Sequence, residues 1–148
     1  MIIPAFYRNG RCYEIPPPVC ETPKLAMVIG TFAAVPYVHL HLEARKRLYP
    51  KVPCLVHDDC SPRNDQLQAL CKEYGAEFST NTCRYPPCLG DLSTFYDGLL
   101  WAKEIGVDVL TKFSRRFLPI TDWRPSLMRL VYESGYHTYA SWTTSFNF

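Results

Sequence analysis

Leu25-Ala26-Met27-Val28-Ile29-Gly30-Thr31 is the stretch on which the fold turns. Five apolar residues in a row, closed by Gly-Thr, suit a strand buried on both faces rather than an amphipathic element. Downstream, Pro36 sits where a first helical turn tolerates proline, and a helix is expected to about Tyr49. Tyr37, Leu40, Ala44 and Leu48 share one face of it, while Arg45, Lys46 and Arg47 crowd its carboxyl end, where the helix dipole favours cations. That basic run reads as a solvated helix end. Pro53 to His57 gives a second short strand, and Ser61-Pro62 supplies a cap and a first-position proline for a helix carrying Leu67, Leu70, Cys71 and Tyr74. Gly75 closes that helix, Ala76 to Ser79 reads as strand three, and Asn81 to Gly90 as a loop stiffened by Pro86 and Pro87. Asp91 is expected to cap a third helix with an apolar stripe of Leu92, Phe95, Tyr96, Leu99 and Leu100, leaving at Gly106 into strand four, Val107 to Phe113. A helix from Trp123 to Gly135 and a fifth strand from His137 to Trp142 complete the pattern. Strict alternation implies right-handed crossovers and a three-layer α/β/α arrangement around a mostly parallel sheet.

Composition sets the bounds. With 148 residues, 47% hydrophobic and 20% charged, the chain can bury one core of ordinary size, and disorder of the whole is excluded. Sixteen Lys and Arg against 14 Asp and Glu leave a formal charge of +2, far from the basic excess of a general nucleic-acid binder. Pro4, Pro16, Pro17, Pro18 and Pro23 gather at the start, so residues 1–23 read as an extended proline-rich arm and 24–148 as the folded domain. Seven cysteines, an odd number, fit reduced thiols in a cytoplasmic protein; the sharper alternative, zinc on Cys12, Cys20, Cys83 and Cys88, has spacings that miss the usual knuckle. Pro4, Arg8 and Arg11 break up any signal-like start. Leu25 to Leu42 is uncharged, but Gly30, Thr31, Pro36, His39 and His41 would be costly in lipid, so no membrane span is expected.

In a doubly wound sheet the ligand crevice lies beyond the carboxyl ends of the strands, where strand order reverses. Those ends read Gly30-Thr31-Phe32, His57-Asp58-Asp59-Cys60-Ser61, Ser79-Thr80-Asn81 and Ser114-Arg115-Arg116. Asp58 and Asp59 leave a strand in opposite directions, so one is expected to bind and the other to brace; the plainer reading is that Asp59 and Ser61 only cap the next helix. The four histidines are dispersed, with His39 and His41 on different helix faces, and make no metal site. Cys60 sits beside the acidic pair Asp58-Asp59, which opposes a thiolate nucleophile. Neither a G-x-G-x-x-G turn nor a P-loop is present.

The order of an apolar strand ending in Gly-Thr, a helix, and Val56-His57-Asp58-Asp59-Cys60-Ser61-Pro62 resembles the start of family 2 glycosyltransferases of the GT-A fold, whose consensus there is Asp-Asp-x-Ser. The resemblance continues through Asp97-Gly98-Leu99 and Ala102 into strand four and spans roughly residues 24 to 135. It implies a Rossmann-like domain that binds a nucleotide-diphosphate sugar and transfers the sugar to an unknown acceptor. On this reading Thr31 and Asp59 hold the base, Asp58 the ribose or the loop, and Phe32 takes the place of the aromatic expected after the threonine.

Two departures bear on chemistry. The family places a carboxylate motif for a divalent metal at the end of strand four, where this chain has Lys112-Phe113-Ser114-Arg115-Arg116-Phe117. Mg²⁺ or Mn²⁺ therefore lacks its usual Asp ligands. The arginine expected before the glycine of helix three is replaced by Phe95 and Tyr96. In one reading Lys112, Ser114, Arg115 and Arg116 neutralise the diphosphate directly, making transfer metal-independent. In the other, the donor site has decayed, and the chain is a non-catalytic nucleotide-sugar-binding or scaffold domain working with a partner chain or as a homo-oligomer. A response-regulator phosphoacceptor ranks last, because its acidic pair should follow strand one.

Overall fold

The computed structural model describes residues 5–8, 11–14, 23–114 and 116–128. The chain divides into two compact units, one of residues 1–21 with 123–148 and the other Thr22–Asp122.

In the first unit β1 (Ala5–Arg8) pairs antiparallel with β2 (Arg11–Glu14), with Arg8 opposite Arg11. These strands fall in the stretch expected to be an extended arm; the Asn9-Gly10 pair between them in sequence is the strongest short-range hairpin signal. A helical turn occupies residues 124–128. The rest of the expected fourth helix and the fifth strand lie outside the described residues.

The second unit holds β3 (Leu25–Thr31), α1 (Val35–Leu48), β4 (Cys54–Asp58), α2 (Asn64–Glu73), β5 (Glu77–Thr80), α3 (Pro87–Glu104) and β6 (Val109–Ser114). All four strands are parallel, in the order β5-β4-β3-β6. The α/β sheet expected from the alternation is thus present, and the chain reverses its direction of travel across the sheet beside β3, its first strand.

Alternation along the strands assigns the two faces. Ala26 and Val28 form one core with Leu55, Leu110 and Trp101, under α3. Ile29 pairs in register with Phe113, whose ring lies 6.1 Å from that of His41 on α1, so α1 covers the opposite face. Right-handed crossovers place α2, which packs on α1, on that same side. Cys54 and Cys71 lie in this core, and burial pushes both thiols up to about 12.

Four expectations are corrected in detail. The α2 helix starts at Asn64, not Pro62, and its N-cap, Arg63, makes no side-chain capping bond. Ser61 is drawn away from capping because its N–H and hydroxyl both go to Asp58. Asp91 is not a cap either, because α3 begins at Pro87, where a missing N–H costs nothing. Arg45 is buried rather than solvated, its Nε donating to Val52 O at 2.7 Å and its guanidinium to Tyr74 O at 3.0 Å. Finally, the apolar stripe of α3 faces outward, with Leu92 62% and Tyr96 63% exposed, while Gly90, Thr94, Gly98 and Ala102 face the sheet.

Candidate functional site

The carboxyl edge of the sheet collects the polar residues. Register places Thr31 beside Asp58 and Gly30 between His57 and Ser114. The Asp59 N–H donates to Thr31 O at 2.9 Å, which brings Thr31, Asp58 and Asp59 together as the sequence implied. Thr31 Oγ1 is buried and has no hydrogen-bond partner among the described residues.

The two carboxylates do different work. Asp58 is fully buried; it accepts from the Ser61 N–H at 2.7 Å, from the Ser61 hydroxyl, and from Thr80 Oγ1 at 3.3 Å. Ser61 Oγ in turn accepts the Ala33 N–H at 2.6 Å. One carboxylate therefore ties together the ends of β3, β4 and β5. Asp59 anchors the following loop: its Oδ1 accepts from Asn81 Nδ2 at 2.9 Å and from the Tyr85 N–H at 3.2 Å. Its Oδ2 lies so close to α3 that a Cβ on Gly90 would stand 2.6 Å away.

Two non-glycine residues in this edge, Ala33 (φ 48°) and Cys60 (φ 57°), hold left-handed backbone. Each costs roughly 1 kcal/mol or more, a cost that persists only where surrounding bonds over-determine the loop. The Ser61 bridge between the two loops is that constraint.

Behind the edge, on the α3 face, sits a polar cluster that sequence reading did not find. The ring of His57 is enclosed, with Nδ1 2.8 Å from Ser79 Oγ and 3.2 Å from Asp97 Oδ2, and Nε2 3.4 Å from Ser93 Oγ. Burial lowers its pKa below the ordinary 6.5, against the opposing pull of Asp97, Asn81, Asp58 and Asp59. The order Ser93, His57, Asp97 imitates a nucleophile, base and acid. Ser93 Oγ, however, donates to Gly90 O at 2.9 Å and accepts from Asn81 Nδ2 at 3.0 Å, so its proton is committed to the backbone. The cluster positions α3 against β4.

The cationic side is less gathered. Lys112 is on the α3 face and pairs with Asp91 at 2.8 Å. Ser114 Oγ accepts the Arg116 N–H at 3.2 Å, which places exposed Arg116 just past the end of β6. Arg115 lies outside the described residues. A cation missed in the sequence stands on the other side of the crevice: the Arg84 guanidinium lies over the Phe32 ring, 3.8 Å from its centroid. The signal available was only that Arg84 falls in the loop after strand three.

These donors do not suit a divalent cation. Residues 109–121 contain no carboxylate, and both carboxylates at the end of β4 already accept hydrogen bonds from protein donors. Among the described residues no three His, Cys, Asp or Glu side chains cluster to hold a metal. Cys83 and Cys88 are exposed, Cys20 lies outside the described residues, and Cys12 is in β2, paired in register with Tyr7. No described helix is long and apolar enough to cross a membrane.

No family model matches the sequence, and no curated protein matches it. Among solved structures the chain is similar to a cytidylyltransferase from Leptospira borgpetersenii serovar Hardjo-bovis, with TM-score 0.51 and 16% identity over 72% of this chain. The match spans 48% of that protein, about half its length. This likeness shows the fold alone: a Rossmann-like parallel α/β sheet flanked by helices.

Proposed function

We propose that the second unit binds a nucleotide-diphosphate sugar at the carboxyl edge of its sheet and transfers the sugar to an acceptor, as the resemblance to family 2 glycosyltransferases implies. One observation carries the reading: the strand register sets Thr31 against Asp58, and Gly30 against Ser114, at the point where strand order reverses. The base lies over Thr31 and Phe32, within reach of Asp59. Asp58 holds the loop rather than the ribose, because its oxygens are already taken by Ser61 and Thr80. Ser114, Arg115 and Arg116 meet the diphosphate, and Lys112 joins them only by leaving Asp91. Arginine forks neutralise the departing diphosphate by charge-assisted hydrogen bonds, with no step routed through a metal.

A second reading, nucleotidyl transfer, is favoured by the similarity to the cytidylyltransferase. The two differ in the bond broken. Glycosyl transfer cleaves the bond from the anomeric carbon to the diphosphate and releases a nucleoside diphosphate; nucleotidyl transfer attacks the α-phosphorus of a nucleoside triphosphate and releases pyrophosphate.

Calorimetric titration with uridine, guanosine, thymidine and cytidine diphosphate sugars, with EDTA or with Mn²⁺, tests the reading. Binding insensitive to chelation supports the cationic clamp, whereas strict Mn²⁺ dependence overturns it. Absence of heat with every nucleotide leaves the non-catalytic scaffold. Turnover assays then separate the chemistries by product, nucleoside diphosphate against pyrophosphate.

A further inference from the structure

The Arg84 guanidinium stacks on the ring of Phe32 at the strand ends. Arg84 is exposed and makes no hydrogen bond or ion pair among the described residues; its only contact of note is the aromatic ring. Its backbone, by contrast, is fixed. The next residue, Tyr85, donates its N–H to buried Asp59, and Asn81 binds the same oxygen, so the loop is folded around a carboxylate at the crevice. A pinned backbone with a long, unpaired cationic side chain can swing without refolding the loop.

The ring beneath it follows directly on Thr31, at the switch point. A planar guanidinium 3.8 Å from the centroid of Phe32 lies where the ring of a stacked base would lie. The stack is a weak contact at an exposed site, whereas a charge-assisted fork to phosphate is stronger.

Resting on the nucleotide reading above, we propose that Arg84 and Phe32 form an exchange platform for a nucleoside diphosphate. In the free protein the guanidinium covers the ring; the incoming base takes its place on Phe32, and Arg84 moves to the phosphates. Arg84 is then a specificity residue with opposite effects on two parts of one ligand. It competes with the base and attracts the diphosphate, so the site favours diphosphates over free nucleosides.

The test is calorimetric titration of the full chain with uridine, UDP, cytidine, CDP, guanosine and GDP. Arg84→Ala is expected to weaken the preferred diphosphate by about tenfold or more, while its parent nucleoside binds as well as or better than before. Arg84→Lys keeps the charge but not the flat stack, and is expected to restore most of the diphosphate affinity while nucleoside binding stays at the level of Arg84→Ala. Phe32→Leu should weaken nucleoside and diphosphate alike. An unchanged thermal midpoint in Arg84→Ala is expected from its exposure, and a collapsed midpoint would itself assign Arg84 to folding and overturn the platform. Equal losses of nucleoside and diphosphate, or no loss of either, overturn the platform while leaving the nucleotide reading intact. If no diphosphate binds the native chain, the nucleotide reading falls and the platform with it.

Discussion

Gly90 shows how closely the candidate site depends on single atoms. A methyl group there would meet Asp59 Oδ2 at 2.6 Å and Asp59 Cγ at 3.0 Å, and neither the buried carboxylate nor the helix backbone can yield cheaply. Gly90→Ala is expected to cost roughly 1–3 kcal/mol in urea unfolding and to release the loop that Asp59 holds through Asn81 and Tyr85. An unchanged midpoint would mean that Asp59 has another place to go. Arg45 is a second such residue. Replacing it with Met leaves Val52 O and Tyr74 O without their donor in a buried setting, a loss of about 1–3 kcal/mol read in the same experiment. His57 makes a prediction about pH. Burial holds its folded pKa below 6.5, although Asp97, Asp58 and Asp59 pull it upward. As pH falls through about 6.5 the unfolded chain takes up a proton that the folded chain refuses, so stability declines from there down to the lower folded pKa and is flat above it. His57→Gln should flatten that decline in a series of urea curves between pH 7.5 and 5. Parallel curves for the two proteins would show that the native ring titrates as an ordinary histidine.

At the scale of elements, α3 is where sequence and structure part. Its large side chains repeat at helical spacing, which is the ordinary mark of a core face, yet they point outward. The seam against the sheet is instead Gly90, Thr94, Gly98 and Ala102, four residues apart. The reason is distance. A Cβ on Gly98 would stand 2.9 Å from Val28 and 3.1 Å from Leu110, and one on Gly30 would stand 2.9 Å from Thr94, so helix and strand approach too closely for larger residues. The small-residue period was readable, but apolar weight alone favours the wrong side. Leu92→Gln combined with Leu99→Gln is therefore expected to change stability by no more than about 0.5 kcal/mol. Ala102→Leu, on the opposite side, should cost about 1–3 kcal/mol by overpacking. Urea unfolding of the two variants decides which face is buried, and a reversed order of effects would turn the helix over. The β4–α2 connection teaches a related lesson. Asp58-Asp59-Cys60-Ser61-Pro62 reads locally as a cap, but Asp58 takes Ser61 for itself and α2 starts late. Local propensity lost to a bond that also reaches Thr80 on the neighbouring strand.

For the whole molecule, the legible part was the part set by period and alternation: four strands, three helices and the parallel sheet that right-handed crossovers demand. The convergence of Thr31, Asp58 and Asp59 followed from knowing that strand ends share one edge. What escaped was set by contacts distant in sequence, such as Arg84 on Phe32 or His57 among Ser79, Ser93 and Asp97. The sheet order itself predicts a pattern of amide exchange. Buried central strands β3 and β4 should exchange most slowly, and β6, part-exposed along its length, faster. A saturating nucleoside diphosphate at a hundred times its Kd adds about 2.7 kcal/mol to global stability, which slows all globally exchanging amides together. Amides that open locally report the site instead. Added protection should concentrate at residues 31–33, 58–61 and 81–85, the three loops joined by Asp58, Asp59 and Ser61. It should spare the opposite edge, where Lys24 O accepts the Val109 N–H. Protection confined instead to the shallow concavity between α2 and β5, lined by Asp65, Gln68, Lys72 and Phe78, would move the binding site away from the strand ends altogether.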